Sequence, residues 1–191
     1  MAIFVTSDLH FNHSPEFIWK ARGFNSIEEM NEEIIHRFNN AVSADDNVYI
    51  LGDVCLGGGD EEILAKNKEL IERLHGKLHI IRGNHDTDRR VEMYESCSNV
   101  VSKVLYADMI KYKGYHFYIS HFPTITSNLE KESLKQCTCC LYGHTHQEDN
   151  FFYGMPMIYH VGVDSHDCYP CNLDDIIQDM KDKATECLNQ I

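Results

Sequence analysis

Apolar and polar positions alternate along the chain in two distinguishable spacings. Short apolar runs at residues 2–6, 47–51 and 77–81 are bounded by turn-forming polar residues and predict strands. Ile27, Met30, Ile34 and Phe38 recur at helical spacing behind Ser26-Ile27-Glu28-Glu29. That tetrad is a capping box, with Ser at the N-cap and Glu three residues on, and it predicts a helix through about Val42. A second helix is predicted over residues 61–74, closed by Gly76, a residue suited to the left-handed position after a helix. The second half is richer in strands. Residues 100–106, 109–112, 115–119, 138–142 and 157–161 each predict one, with Lys113-Gly114 as a hairpin turn. An amphipathic helix is predicted over about 172–189, capped by Asn172 with Asp174 and Asp175 in its first turn and Ile176, Ile177 and Met180 on its core face. Strand–helix alternation followed by strands implies a mixed α/β fold, two sheets packed together with helices outside. No repeat, low-complexity tract or Pro/Gly/Ser linker interrupts it, so residues 1–191 read as a single domain.

Composition narrows the class. With 43% hydrophobic and 25% charged residues the chain is globular rather than disordered. No apolar run approaches the roughly 20 residues of a membrane-spanning helix, so no membrane partner is expected. Seventeen Lys and Arg against thirty Asp and Glu give a net charge of −13, which disfavours long nucleic acid as a partner. Bound divalent cations would reverse that sign locally. Eight cysteines are too few for a disulfide scaffold, and the opening residues lack the basic region of a signal peptide. Reduced thiols and a cytoplasmic location are therefore expected.

Residues of ligand type gather just beyond the predicted strands. Asp8 and His10 follow the first, Asp53 the second, and Asn84 and His85 the third; His121 follows the 115–119 run, and His144 and His146 follow 138–142. Open α/β sheets bind ligands at this end of their strands. Gly52, Gly83 and Gly143 precede three of these groups and let the backbone turn sharply. Imidazoles, carboxylates and one carboxamide make a mixed nitrogen/oxygen set suited to borderline divalent metals. Seven such ligands exceed one ion's usual share and imply two. Asp53, alone on the central loop, is the natural bridge. Paired ions of this kind hold a hydroxide and clamp an in-line displacement at phosphorus.

The blocks Asp8-Leu9-His10, Gly52-Asp53, Gly83-Asn84-His85-Asp86, His121 and Gly143-His144-Thr145-His146 occur in that order. In this the chain resembles the calcineurin-like metallophosphoesterases, over residues 3 to about 165. Ser120 stands before His121 where that family usually has Gly. The opening through Asn31 is also similar to a small prokaryotic and phage phosphoesterase subfamily, in which Gly is usual where Asn12 stands. The resemblance implies a four-layer α-β-β-α sandwich. It assigns Asp8, His10 and His146 to one metal, Asn84, His121 and His144 to the other, and Asp53 to both. His85 would protonate the leaving oxygen or bind the phosphoryl group, and Asp86 would orient it. Manganese is the first expectation for the two ions, with iron, zinc, cobalt or nickel as alternatives.

Other residues carry weaker signals. His13, in the same loop as His10, is a candidate contact for phosphate or substrate, and Arg22 offers a guanidinium fork for phosphate. His36, His75, His79, His116, His160 and Arg82 read as structural. Cys137, Cys139 and Cys140 with Cys168 and Cys171 could form a zinc site or a disulfide, but their spacing suits buried packing better. The function expected is hydrolysis of a phosphate ester, mono- or diester, on a phosphorylated small molecule or nucleotide-type substrate. A chain this short leaves no room for a cap domain, so the site should be open. The rival is a non-catalytic protein-binding scaffold on the same fold, which would have no need of the full ligand set.

Overall fold

The protein is described by a computed structural model over residues 1–126 and 133–189. Its first sheet holds β1 (Ile3–Thr6), β2 (Asn47–Leu51), β3 (Lys77–Ile81) and, at the far edge, a two-residue strand that is eighth in chain order. Spatial order places β2 between β1 and β3, and these three strands run parallel. Between them lie α1 (Glu16–Ala21), α2 (Ile27–Ala41) and α3 (Glu61–Glu72), and α4 (Asp88–Glu95) follows β3. The second sheet has the order β4 (Ala107–Tyr112), β5 (Tyr115–Ser120), β6 (Thr138–Tyr142) and β7 (Ile158–His160). The strands β4 and β5 form an antiparallel hairpin, and β5, β6 and β7 are parallel. The chain then returns to the first sheet as β8 (Cys171–Asn172), antiparallel to β1, and ends in α5 (Leu173–Asn189).

Period-two alternation sorts the layers. Val48 and Ile50 of β2 join a cluster with Met30, Ile34 and Phe38 of α2, Leu64 and Ile71 of α3 and Met93 of α4. Leu51 of β2, Val5 and Ile81 face the other way, into a cluster with Phe117, Ile119 and Leu141 of the second sheet. The same cluster takes in Leu173, Ile176, Ile177 and Met180 of α5. Tyr159 Oη donates to Asp179 of that helix at 2.6 Å. The layers therefore run helices, sheet, sheet, helix, and the fold is the mixed α/β sandwich expected. No helix among the described residues is long and apolar enough to cross a membrane.

Local signals explain most boundaries. Ser26 Oγ accepts from Glu29 N at 3.1 Å, while the Glu29 carboxylate reaches one residue further back and takes Asn25 N at 2.7 Å. Lys113 and Gly114 both have left-handed φ, 48° and 83°, as a two-residue hairpin turn requires. The strand expected at residues 100–106 does not form. That segment passes the edge of β3 with single bridges at Val100 and Leu105, and Val101 between them is 52% exposed. Its apolar residues do not alternate inward, so only its ends find ladder partners. The short elements α1, α4 and β8 had no clear pattern in the sequence. All eight cysteines are free thiols, and Cys137, Cys139 and Cys140 are buried in and beside β6 as packing residues. No metal-capable cluster among the described residues contains a cysteine.

Two substitutions separate the core from the segment at residues 100–106. Ile34→Ala, at a fully buried site, should cost about 2–5 kcal/mol in chemical denaturation. Val101→Ala should stay within about 0.5 kcal/mol of the parent, because no sheet depends on it.

Candidate metal centre

Parallel strands bring their carboxyl ends to one edge, and there the candidate residues meet. Asp8 and His10 follow β1, Asp53 follows β2, Asn84 and His85 follow β3, His121 follows β5, and His144 and His146 follow β6. To point inward, the backbone leaves β1, β2 and β6 through left-handed turns. Asp8, His10, Asp53, His144 and His146 have φ of 57°, 53°, 52°, 68° and 48°. Backbone bonds hold these turns: Asp8 N donates to Gly52 O at 3.0 Å and His10 N to Asp53 O at 3.1 Å. Two glycines make the crowding tolerable. A Cβ on Gly83 would lie 2.2 Å from Asp53 Oδ1, and one on Gly143 would lie 2.4 Å from Asp8 Oδ2.

Asp53 Oδ2 occupies the middle. It lies 3.5 Å from His121 Nε2, 3.9 Å from His10 Nε2 and 3.9 Å from His85 Nε2. Its other oxygen accepts from His85 N at 2.9 Å. On one side, Asp8 Oδ1 is 3.7 Å from His10 Nε2 and 3.9 Å from His146 Nε2. On the other, Asn84 Oδ1 is 2.8 Å from both His121 Nε2 and His144 Nδ1. The remaining ring nitrogens identify the tautomers. His121 Nδ1 faces Leu51 O at 2.8 Å, and His146 Nδ1 faces Asp164 Oδ2 at 2.8 Å. A carbonyl or carboxylate only accepts, so both Nδ1 atoms donate, and each Nε2 is the ring atom turned toward the cluster.

These residues fit a metal on grounds of unmet bonding. Asp8 Oδ1 and His10 Nε2 are buried without a hydrogen-bond partner among the described residues, which is costly in a closed protein interior. Two groups of metal-capable residues converge there, Asp8 with His10 and His146, and Asp8 with Asp53 and His121. Burial pushes the His10 imidazole down to about 4, so it is neutral, the ligand form. Burial would raise the Asp8 carboxyl, but His10, His121, His146 and Ser7 outweigh it and hold it at about 2. For Asp53 burial wins, and its carboxyl is pushed up.

The flanking residues depart from expectation in two places. Arg22 is not free for phosphate. Its Nε and Nη2 donate to the Asp164 carboxylate at 2.8 and 3.1 Å, Nη2 also to Asp8 O at 2.8 Å, and Nη1 to Leu9 O at 3.2 Å. The side chain is 3% exposed. It straps the two carbonyls that flank the strained β1 exit. Asp86 does not orient His85. Its Oδ2 accepts from Asp53 N at 2.9 Å and Gly83 N at 2.7 Å, and its Oδ1 accepts from Tyr94 Oη at 2.7 Å. Asp86 thus fixes the backbone that carries Asp53. His85 itself hangs at the mouth, its side chain 47% exposed. His13 is at the mouth too, its ring stacked on His10 at 5.0 Å with Nδ1 3.0 Å from His10 Nδ1.

Two features had not been read from the sequence. Asp164 holds both Arg22 and His146, and no local spacing signals it. Burial would raise its carboxyl, yet His146 and Arg22 hold it far below the usual carboxylate range. Asn12, in the left-handed region at φ 58°, accepts from Asn31 Nδ2 at 2.9 Å and donates to Asn67 Oδ1 at 2.6 Å, tying the His10 loop to α2 and α3. A signal existed: Asn31 and Asn67 are polar positions on the buried faces of their helices.

Comparison with known proteins agrees with this geometry. Residues 1–162 match the calcineurin-like phosphoesterase superfamily domain. An uncharacterized protein of Methanocaldococcus jannaschii, MJ1445, is 34% identical over 149 residues, covering 75% of this chain and 69% of that one. The crystal structure of AQ665, a protein of unknown function from Aquifex aeolicus, superposes with a TM-score of 0.65 at 21% identity, over 93% of this chain and 98% of that one.

The strap makes a measurable demand. Arg22→Met should leave the Asp164 carboxylate with His146 alone and lower stability by about 3–5 kcal/mol in chelator, and Arg22→Lys should not restore it, lacking the fork. A loss under about 1 kcal/mol in both variants would return Arg22 to a role outside the fold.

Proposed function

The chain belongs to the calcineurin-like phosphoesterase superfamily, and on that premise we propose that it hydrolyses phosphate esters with two divalent ions bound at the strand ends. Asp8, His10 and His146 would hold one ion and Asn84, His121 and His144 the other, with Asp53 shared. The observation that carries this reading is the central position of Asp53 Oδ2, 3.5 Å from His121 Nε2 and 3.9 Å from His10 Nε2. The nitrogen/oxygen donor set suits manganese, and iron, zinc, cobalt or nickel after it. When bound, such ions polarise the phosphoryl group and lower the pKa of water toward about 7, so that a nucleophile is available at neutral pH.

The protein's own groups do the rest. Among the described residues His85 makes no side-chain hydrogen bond, and its Nε2 is available to give a proton to the leaving oxygen or to hold a phosphoryl oxygen. Asp86 and Arg22 act at one remove, by fixing the backbones of Asp53 and Asp8. His13, beside His85 with ring centroids 6.5 Å apart, is a second candidate contact for substrate. The strained, ligand-bearing turns argue against a protein-binding scaffold, for which they would be a cost without use. The substrate class we favour is a phosphorylated small molecule or nucleotide, in the cytoplasm, because a net charge of −13 opposes a long polyanion.

Activity on alkyl phosphate esters should vanish in excess chelator and return with Mn²⁺. His85→Ala should lose about 10²–10⁴-fold in turnover on alkyl esters if His85 is the general acid. The loss should be much smaller on p-nitrophenyl esters, whose leaving group needs no proton. Equal losses on both would assign His85 to phosphoryl binding, and full activity in chelator would contradict the reading as a whole.

A further inference from the structure

A line of contacts crosses the site and ends in an exposed phenylalanine on each side. Phe17 meets the His13 ring edge-on at 5.8 Å, and His13 stacks on His10 at 5.0 Å. His10 Nε2 and His121 Nε2 both approach Asp53 Oδ2, at 3.9 and 3.5 Å. Phe122 then stands edge-on to His121 at 5.1 Å and to His144 at 4.7 Å. Phe17 is 69% exposed and Phe122 49%, although each belongs to a residue type that gains by leaving water. Phe122 is held firmly: Ser120 Oγ and Thr124 Oγ1 both donate to its carbonyl, at 2.8 and 3.1 Å.

Among the described residues, the guanidiniums beside the site, Arg22 and Arg90, are committed elsewhere. Arg22 is spent on Asp164 and two carbonyls, and Arg90 donates to His85 O and Gly57 O. A bound phosphoester therefore finds little charge for its organic part, and finds two aromatic rings instead. Resting on the phosphoesterase reading, we propose that Phe17 and Phe122 form stacking surfaces for a flat heteroaromatic substituent, so that the substrate is a nucleoside phosphate ester rather than a sugar or alkyl phosphate. Stacking tolerates any base, because each has a π-face, and it works without positive charge. The braced Phe122 carbonyl fixes the loop before the ligand arrives, which limits the ordering cost.

Calorimetry on the Mn²⁺-loaded full chain tests this with thymidine 5′-phosphate and methyl phosphate, which share a dianionic head. Thymidine 5′-phosphate should bind about tenfold tighter or more, the range one stacked base supplies, and the ratio should fall to near one in the Phe17→Ala/Phe122→Ala double variant. Equal affinities in the parent chain, or a ratio unchanged in the double variant, would overturn the proposal. Turnover separates this from the broader reading. If methyl p-nitrophenyl phosphate and thymidine 5′-p-nitrophenyl phosphate are hydrolysed equally well, stacking is wrong and the phosphoesterase stands. If the binding ratio holds while neither ester is turned over, stacking stands and the phosphoesterase reading fails.

Discussion

Five of the seven ligand-type side chains are carried on left-handed backbone, and this constraint organises the structure around them. Asp8, His10, Asp53, His144 and His146 share φ values between 48° and 68°. For residues with a Cβ each such conformation costs about 1–3 kcal/mol unless its surroundings compel it. Here the compulsion is visible. Arg22 straps the carbonyls of Asp8 and Leu9, and Asp86 takes the amides of Asp53 and Gly83. Asn12, itself left-handed, is fastened to Asn31 and Asn67. These bonds turn short strand exits toward one point, and the helices behind the first sheet supply the core that keeps the strands in register.

Charge is the second consequence. Asp8, Asp53 and Asp86 are almost wholly buried close together, with Arg22, itself engaged by Asp164, as the nearby guanidinium on the β1 side. The imidazoles offset the Asp8 carboxylate, while burial opposes ionisation of Asp53. A divalent ion beside Asp53 would oppose that upward shift of its carboxyl. Strain and electrostatics therefore point to the same completing element, a cation held at the strand ends.

The convergence of the ligand-type residues was legible because each lies within a few residues of a strand end, in short blocks such as Gly83-Asn84-His85-Asp86 and Gly143-His144-Thr145-His146. Parallel strands then bring those blocks together without further information. The supporting residues were not legible, since their roles depend on partners remote in the chain. Arg22 meets Asp164 across 142 positions, so its fork looked available for phosphate. Asp86 adjoins His85 in sequence, yet the close approach of Gly83 to Asp53 turns its carboxylate to the backbone instead. The segment at residues 100–106 has the composition of a strand but not its alternation, and α4 is short and mostly polar, with Thr87 as its cap.

Whether Asp53 is shared by two ions is tested most directly by electron paramagnetic resonance during titration of the metal-free chain with Mn²⁺. Two ions joined through one carboxylate sit about 3.5–4 Å apart, and their spins couple. At two equivalents the six-line signal of isolated Mn²⁺ should give way to the spectrum of a coupled pair, and Asp53→Asn should abolish that pair spectrum. A six-line protein-bound signal that persists to saturation, or a pair spectrum unchanged in Asp53→Asn, would contradict a shared Asp53.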